Sequence, residues 1–275
     1  MSEPLHRIDG RVPNFARVMD YLEGGKDHFA VDRKVGDELL GIAPDLPVIV
    51  AEQRRFLRRA IARLAEEGIR QYVDIGCGLP TCGSPHEILQ DLGVDARVAY
   101  VDEDPVVVVH GRAILDNSGK VVTPGRPLVR VLQGDPRDPD GILDHPELTG
   151  FLDPAKPTAV LVRNILAVMD DATAATVAGR LVDRLSPGDR FLLIHVVRDS
   201  AERKSADMTR LFTDEGLLDE GRGQVRTLAQ IQALLDGLDL LPPGLVPLPA
   251  WHPEPAPHAV APDAFWSVGA VGRKP

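Results

Sequence analysis

Cysteine is scarce in this chain of 275 residues: Cys77 and Cys82 are its two thiols. Their C-x4-C spacing has no second pair to complete a tetrahedral zinc site, and two cysteines make no disulfide framework. No metal is expected, and both side chains should stay thiols in a reducing cytosol. Long apolar runs are missing as well. Nothing approaches the ~18 to 20 apolar residues of a membrane helix, and Met1 to Asp20 lacks the apolar segment of a signal peptide. A cytoplasmic protein with no membrane partner is the expectation. Positive charge is in deficit, with 31 Lys and Arg against 41 Asp and Glu and a formal charge of −10. Such a surface disfavours polyanions, so no nucleic acid partner is expected. The apolar and charged fractions, 44% and 26%, are ordinary for a globular protein long enough to bury a sizeable core.

The chain is organised around Gln71 to Gly83, QYVDIGCGLPTCG. Tyr72, Val73 and Ile75 form a β-rich run that breaks into Gly76, Gly78 and Pro80 before a helical pattern begins near Ser84. This predicts strand, glycine turn, helix, and in an open α/β sheet that turn is the usual ligand crevice. A dinucleotide fingerprint would put a third glycine where Thr81 stands, which weakens a pyrophosphate reading. The shorter pattern D-x-G-x-G, Asp74 to Gly78, resembles the first motif of class I S-adenosylmethionine (SAM) dependent methyltransferases.

Before this stretch, Asn14 is placed to cap a helix carrying Phe15, Val18, Met19 and Leu22, which Gly24 and Gly25 stop. A second helical pattern runs from Val31 to Leu40. A third runs from about Pro47 to Glu67, with Arg54, Arg55, Arg58, Arg59 and Arg63 read mainly as a solvated face. From Ile69 strands and helices alternate, the signature of a parallel sheet with crossover helices. Strands are expected at Arg97 to Val101, Pro127 to Leu132, Thr158 to Val162 and Arg190 to Val197. Residues 198–226 form a polar insertion suited to a substrate segment. After a Pro-rich connection, Pro242 to Pro262, a last strand from Ala264 to Val271 should pair antiparallel at or near the sheet edge. Two regions follow: a helical extension over residues 1–68, and an α/β domain over 69–275.

The first three strands each end in acid: Asp74, then Asp102, Glu103 and Asp104, then Asp135. In a doubly wound sheet these ends share one rim, where Asp102 suits a ribose diol and Asp135 the exocyclic amine of adenine. Residues 69–272 resemble class I SAM methyltransferases. Ala16 to Arg33, ARVMDYLEGGKDHFAVDR, with IRQYVDIGCGLPT and VAYVDEDPVVVVH, is similar to a bacterial group of S-adenosyl methyltransferases of undetermined substrate. The resemblance implies a doubly wound, mostly parallel, seven-stranded Rossmann-like sheet, SAM as cofactor and a small-molecule methyl acceptor. It implies cofactor contacts from Asp74, Gly76, Gly78, Asp102, Glu103, Asp135, Pro136, Arg163 and Asn164. It also folds Tyr21, Gly24, Gly25, Lys26 and Asp27 over the pocket; the composition of this linker, two glycines beside a cation, suits Lys26 or the amides near Gly24 and Gly25 to meet the cofactor's carboxylate. In that group's pattern Met19 replaces a tyrosine and His28 an asparagine, Ser84 stands where asparagine precedes a His-Glu pair, and Leu166 stands where a histidine is common. A general base is needed only if the acceptor must lose a proton, and His86 and His195 are the candidates. An NAD-dependent oxidoreductase and a non-catalytic SAM-binding sensor or scaffold are the competing readings.

Overall fold

The computed structural model describes residues 9–80, 83–117, 124–199, 202–218, 223, 225–252 and 265–275. Thr81, Cys82, residues 253–262 of the Pro-rich connection and Ala264 lie outside the described residues.

Three helices come first: α1 (Phe15–Leu22), α2 (Ala30–Ile42) and α3 (Leu46–Glu66). Asn14 caps α1 by accepting from the Arg17 amide. An α/β alternation follows: β1 (Gln71–Ile75), α4 (Pro85–Asp91), β2 (Arg97–Asp102), α5 (Pro105–Ile114), β3 (Leu128–Gln133), α6 (Pro139–Leu143), α7 (Pro146–Thr149), β4 (Thr158–Arg163), α8 (Asp171–Arg184) and β5 (Arg190–Val196). The 198–226 insertion contains α9 (Glu202–Asp214); then come α10 (Leu228–Ala233), β6 (Asp239–Leu240), β7 (Val246–Pro247) and β8 (Ser267–Arg273).

The sheet runs β3-β2-β1-β4-β5-β8-β6, with β7 also on β8. Its first five strands are parallel. The expected doubly wound, mostly parallel sheet is therefore present, with eight strands because the short β7 joins the seven-strand path. The last strand lies near the sheet edge, as expected. β8 is antiparallel to β5, as expected, and its far side is covered by β6 and β7. Those two-residue pieces cover an edge that would otherwise offer unpaired N–H and C=O groups.

Strand alternation divides the interior into two layers. Val73, Ile75, Val101, Val160 and Val162 face α1, α2 and α8, whereas Tyr72, Val98, Leu161 and Ile194 face α3, α4 and Trp251. The second layer is tight around β8. A Cβ on Gly269 would lie 2.6 Å from the Phe56 ring and 2.7 Å from the Leu248 side chain, and Phe56 is held edge-on to Trp251, ring centroids 5.2 Å apart. Gly269→Ala should therefore cost about 1–3 kcal/mol through overpacking. Urea unfolding measures this, and an unchanged midpoint would mean that Phe56 has room to retreat.

Candidate active site

The strand order reverses at β1, between β2 and β4. Over the carboxyl ends of these strands lies a cavity of about 440 Å³, within the usual range for small-molecule sites. Its floor is the loop Gly76 to Pro80; one side is the end of β2 with Asp102, Glu103 and Asp104, and the other is Arg163, Asn164 and Ile165 after β4. The N-terminal helices close it with Phe15, Met19 and Asp20 from α1, its caps Asn14 and Glu23, and Gln53 and Arg54 from α3.

The loop takes its shape from two constraints. Gly76 has φ +70°, and a Cβ there would fall 2.7 Å from Ile165 Cγ1, so only glycine lets the turn after β4 lie this close. Beneath it Asp74, fully buried, accepts from Arg163 Nε at 3.1 Å and Nη2 at 2.7 Å. Arg163 Nη2 also donates to the Cys77 carbonyl at 3.2 Å. Burial pushes the Asp74 carboxyl up and the Arg163 cation opposes it. For Arg163, burial favours the neutral form, but Asp74 outweighs it and holds the guanidinium protonated. Asp74 is not among the cavity-lining residues; it fixes the loop from below through Arg163.

Asp102 accepts the Gly78 amide at 2.8 Å and the Asp104 amide at 3.0 Å. Burial pushes its carboxyl up to about 6, against the pull of those two amides. Asp104 caps α5 through the Val106 amide at 2.8 Å, and its other oxygen accepts from Asn14 Nδ2 at 2.6 Å, tying the start of α1 to the end of β2. Glu103 is bonded by Arg137 Nη2 at 2.9 Å. Burial and the neighbouring Asp102 and Asp74 push the Cys77 thiol up, so it is no nucleophile at neutral pH.

Among the residues named from sequence, Gly76, Gly78, Asp102, Glu103, Pro136, Arg163 and Asn164 line the cavity. Asp135 lines a smaller recess of about 200 Å³ that shares Glu103 and Pro136 with it, and Arg137 Nε donates to its carboxylate at 2.8 Å. Tyr21, Gly24, Gly25, Lys26 and Asp27 are absent from the lining. Tyr21 donates to Asp37 at 2.7 Å, Asp27 meets His110 Nε2 at 3.1 Å, and Lys26 is exposed. The N-terminal segment reaches the cavity through the helix before the glycines.

Both histidine candidates need correction as bases. His195 is fully buried, with Nδ1 against the Val196 carbonyl and Nε2 3.3 Å from Arg226 Nη1, and burial pushes it down to about 4. Alternation along β5 sends Ile194 to the cavity and His195 to the opposite face. His86 Nδ1 pairs with Tyr100 Oη at 2.8 Å, its ring lies outside the lining, and burial lowers its pKa. Ser84 and Glu87 form a capping box on α4, and Leu166 is a fully buried core residue.

Sequence reasoning missed Asn14, Asp20, Glu23, Gln53 and Arg54. The arginine run on α3 is divided: Arg58 and Arg63 are more than half exposed, whereas Arg59 is buried against Glu52 and the carbonyls of Leu248 and Trp251. Among the described residues no group of His, Cys, Asp and Glu could hold a metal ion, and no helix is long and apolar enough to cross a membrane.

Comparison with known proteins agrees with this geometry. No curated protein matches the chain. A solved protein of the DUF574 family from Streptomyces avermitilis MA-4680 is 33% identical over 98% of this chain and 100% of its own, with a TM-score of 0.87. A candidate methyltransferase from Thermobifida fusca YX is 34% identical over 100% and 99%, with a TM-score of 0.85. The magnesium protoporphyrin IX methyltransferase of Synechocystis PCC 6803, solved with bound S-adenosylhomocysteine, shares the fold at 13% identity, covering 94% of this chain and 93% of its own, TM-score 0.52. The profile described as S-adenosyl methyltransferase matches residues 1–275. With a glycine loop under a strand-end cavity and a family match over its whole length, the chain belongs to the S-adenosyl methyltransferase family and is a SAM-dependent methyltransferase.

Proposed function

We propose that this methyltransferase acts on a small or medium-sized molecule in the bacterial cytosol, with residues 1–68 serving as a lid on the cofactor and part of 198–226 forming the acceptor side. The observation that carries the reading is the cavity of about 440 Å³ at the reversal of strand order, with the glycine loop and Asp102 at one end and α1 at the other. The residues fit the cofactor. Asp102 can accept from two ribose hydroxyls, Gly76 and Gly78 leave the main chain approachable, and three buried polar atoms of lining residues, Asp20 Oδ1, Arg54 Nε and Asn164 Oδ1, find no partner among the described residues.

SAM supplies a methyl group already activated on a sulfonium. The chain's task is to hold donor and acceptor in line and exclude water, an orientation effect worth up to roughly 7–11 kcal/mol. Phe15, Met19, Ile165, Val168, Leu217 and Leu218 give the cavity an apolar wall for an acceptor. With His86 and His195 turned elsewhere, an acceptor that is already nucleophilic fits best. Residues 217–218 follow α9, which supports the 198–226 assignment.

S-adenosylhomocysteine should stabilise the protein against heat more than NAD does, and labelled SAM with a metabolite extract should yield a labelled product. Equal or greater stabilisation by NAD would overturn the cofactor assignment; binding without turnover across extracts would favour a sensor.

A further inference from the structure

Two buried polar side chains outside the cavity lining, Arg226 and His195, meet beside the turn that follows β4. Arg226 ends the 198–226 insertion and is 2% exposed. Its guanidinium donates to the carbonyls of Leu166 at 2.6 Å and Met169 at 2.9 Å, pairs through Nε with Asp171 Oδ1 at 3.0 Å, and places Nη1 3.3 Å from His195 Nε2. A rigid fork of five N–H donors suits such a grip, which a lysine could not copy. The contact with His195 fixes a tautomer. The Val196 carbonyl can only accept, so Nδ1 carries the imidazole proton and Nε2 offers its lone pair to Arg226. Burial, with the Arg226 charge, pushes this imidazole down to about 4 and keeps it neutral.

What the guanidinium grips matters for the cavity. Leu166 lies in the 3-10 turn Ile165–Val168 and Met169 caps it, while Ile165 and Val168 of the same turn line the cavity. The main chain of Arg226 closes the insertion, because its carbonyl accepts the Arg198 amide at 2.9 Å. Just before it, a Cβ on Gly223 would lie 2.7 Å from Leu218 Cδ1 and 3.8 Å from the Ala167 carbonyl, so the end of the insertion rests on both. Leu218 and Leu217 line the cavity too. One buried residue thus ties together the two apolar pieces of the wall, and His195 on β5 supports it from the sheet.

We infer that Arg226 is a positioning residue for methyl transfer, holding Ile165 and Val168 in register with Leu217 and Leu218, and that neutral His195 is the acceptor that holds Arg226 in place. The inference rests on the reading of this wall as the acceptor side. The glycine loop has its own anchor in the Asp74–Arg163 pair, so the loss of Arg226 leaves the cofactor end standing and misplaces the acceptor. His195 gains a role that needs no proton transfer, which accounts for a fully buried histidine facing away from the cavity.

Three measurements on Arg226→Met, His195→Phe and His195→Gln test this. Calorimetry should find S-adenosylhomocysteine affinity within about twofold of wild type in all three, which also shows that they are folded. Methyl transfer from labelled SAM to a metabolite extract should fall at least about tenfold in Arg226→Met and His195→Phe, since a shift of ~1 Å can cost a hundredfold. His195→Gln, whose amide oxygen can accept from Arg226, should recover most of that loss. Hydrogen exchange should quicken by about tenfold at the Ala167 and Met169 amides, bonded to Asn164 and Leu166 at 2.9 and 3.3 Å, and stay unchanged along β4 and β5. Full transfer by Arg226→Met, no recovery in His195→Gln, or faster exchange spread evenly over the sheet would overturn the positioning role. Wild-type protein that labels nothing would instead remove the transferase reading, and the exchange pattern would still decide whether Arg226 and His195 hold the turn.

Discussion

Asp74→Ala should destabilise the fold by about 3 kcal/mol, the lower end of the ~3–5 kcal/mol expected when one partner of a buried ion pair is removed. The lower end applies because the Arg163 side chain is 25% exposed and keeps some water, while Asp74 has none. The variant leaves a guanidinium facing the Cys77 carbonyl with no counter-charge, so the glycine loop should loosen along with the fold. Urea unfolding followed by far-UV circular dichroism gives the number, and a change below about 0.5 kcal/mol would show that Arg163 finds another acceptor. The converse variant, Arg163→Met, has a pH signature. Burial raises the Asp74 carboxyl, and without Arg163 nothing opposes that rise. A carboxyl whose folded pKa exceeds its unfolded value makes the folded state take up protons first. Stability of Arg163→Met should therefore increase as pH falls from neutrality toward ~4, and level off once the unfolded carboxyl is protonated too. Replacing both residues with apolar ones, Asp74→Leu with Arg163→Met, should recover most of the loss.

Asp102→Ala should weaken S-adenosylhomocysteine by ~1.5–3 kcal/mol, roughly ten- to over a hundredfold, if its carboxylate accepts charge-assisted hydrogen bonds from both ribose hydroxyls. The charge dependence is checked by acid. Proton and ribose compete for the same oxygens, and the free carboxyl is pushed up to about 6. Affinity should therefore be level above that pH and fall below it by at most about tenfold per unit. Asp102→Asn, which cannot titrate, should flatten the profile at the weaker value. Wild-type affinity unchanged down to pH 5 would mean that ribose does not rest on Asp102.

The five parallel strands were legible because their apolar runs are short and end in glycine or acid: Val73 to Gly76, Val98 to Asp102 and Val129 to Gly134 each show both signals. The helices α6 and α7 were not, being short and capped by Asp138 and His145 inside a stretch rich in proline and aspartate. At the site, the glycine loop and Asp102 were readable because their roles are set by position at a strand end. Asp135 was readable in place but not in partner, since Arg137 comes from the same turn and its torsion angles decide the pairing. Asp20 and Arg54 were invisible for another reason. Each is a polar residue on an amphipathic helix, where sequence periodicity says outside, and only the packing of α1 and α3 across the strand ends turns them inward. Arg59 was misread in the same way, because the carbonyls it serves, at Leu248 and Trp251, are distant in the chain.

The placement of β8 sets an order of assembly during synthesis. β1 to β5 emerge in sequence and can pair as they appear, but the free side of β5 stays open until Ser267 to Arg273 follow. For that interval Leu192 to Ile194 offer unpaired backbone beside apolar side chains, the condition under which nascent chains bind one another or a chaperone. Ribosome-bound chains stopped before Ser267 should thus be open to protease within β5, and chains extended past Arg273 should not. A strand that reads as a late addition in sequence governs when the middle of the sheet becomes safe from aggregation.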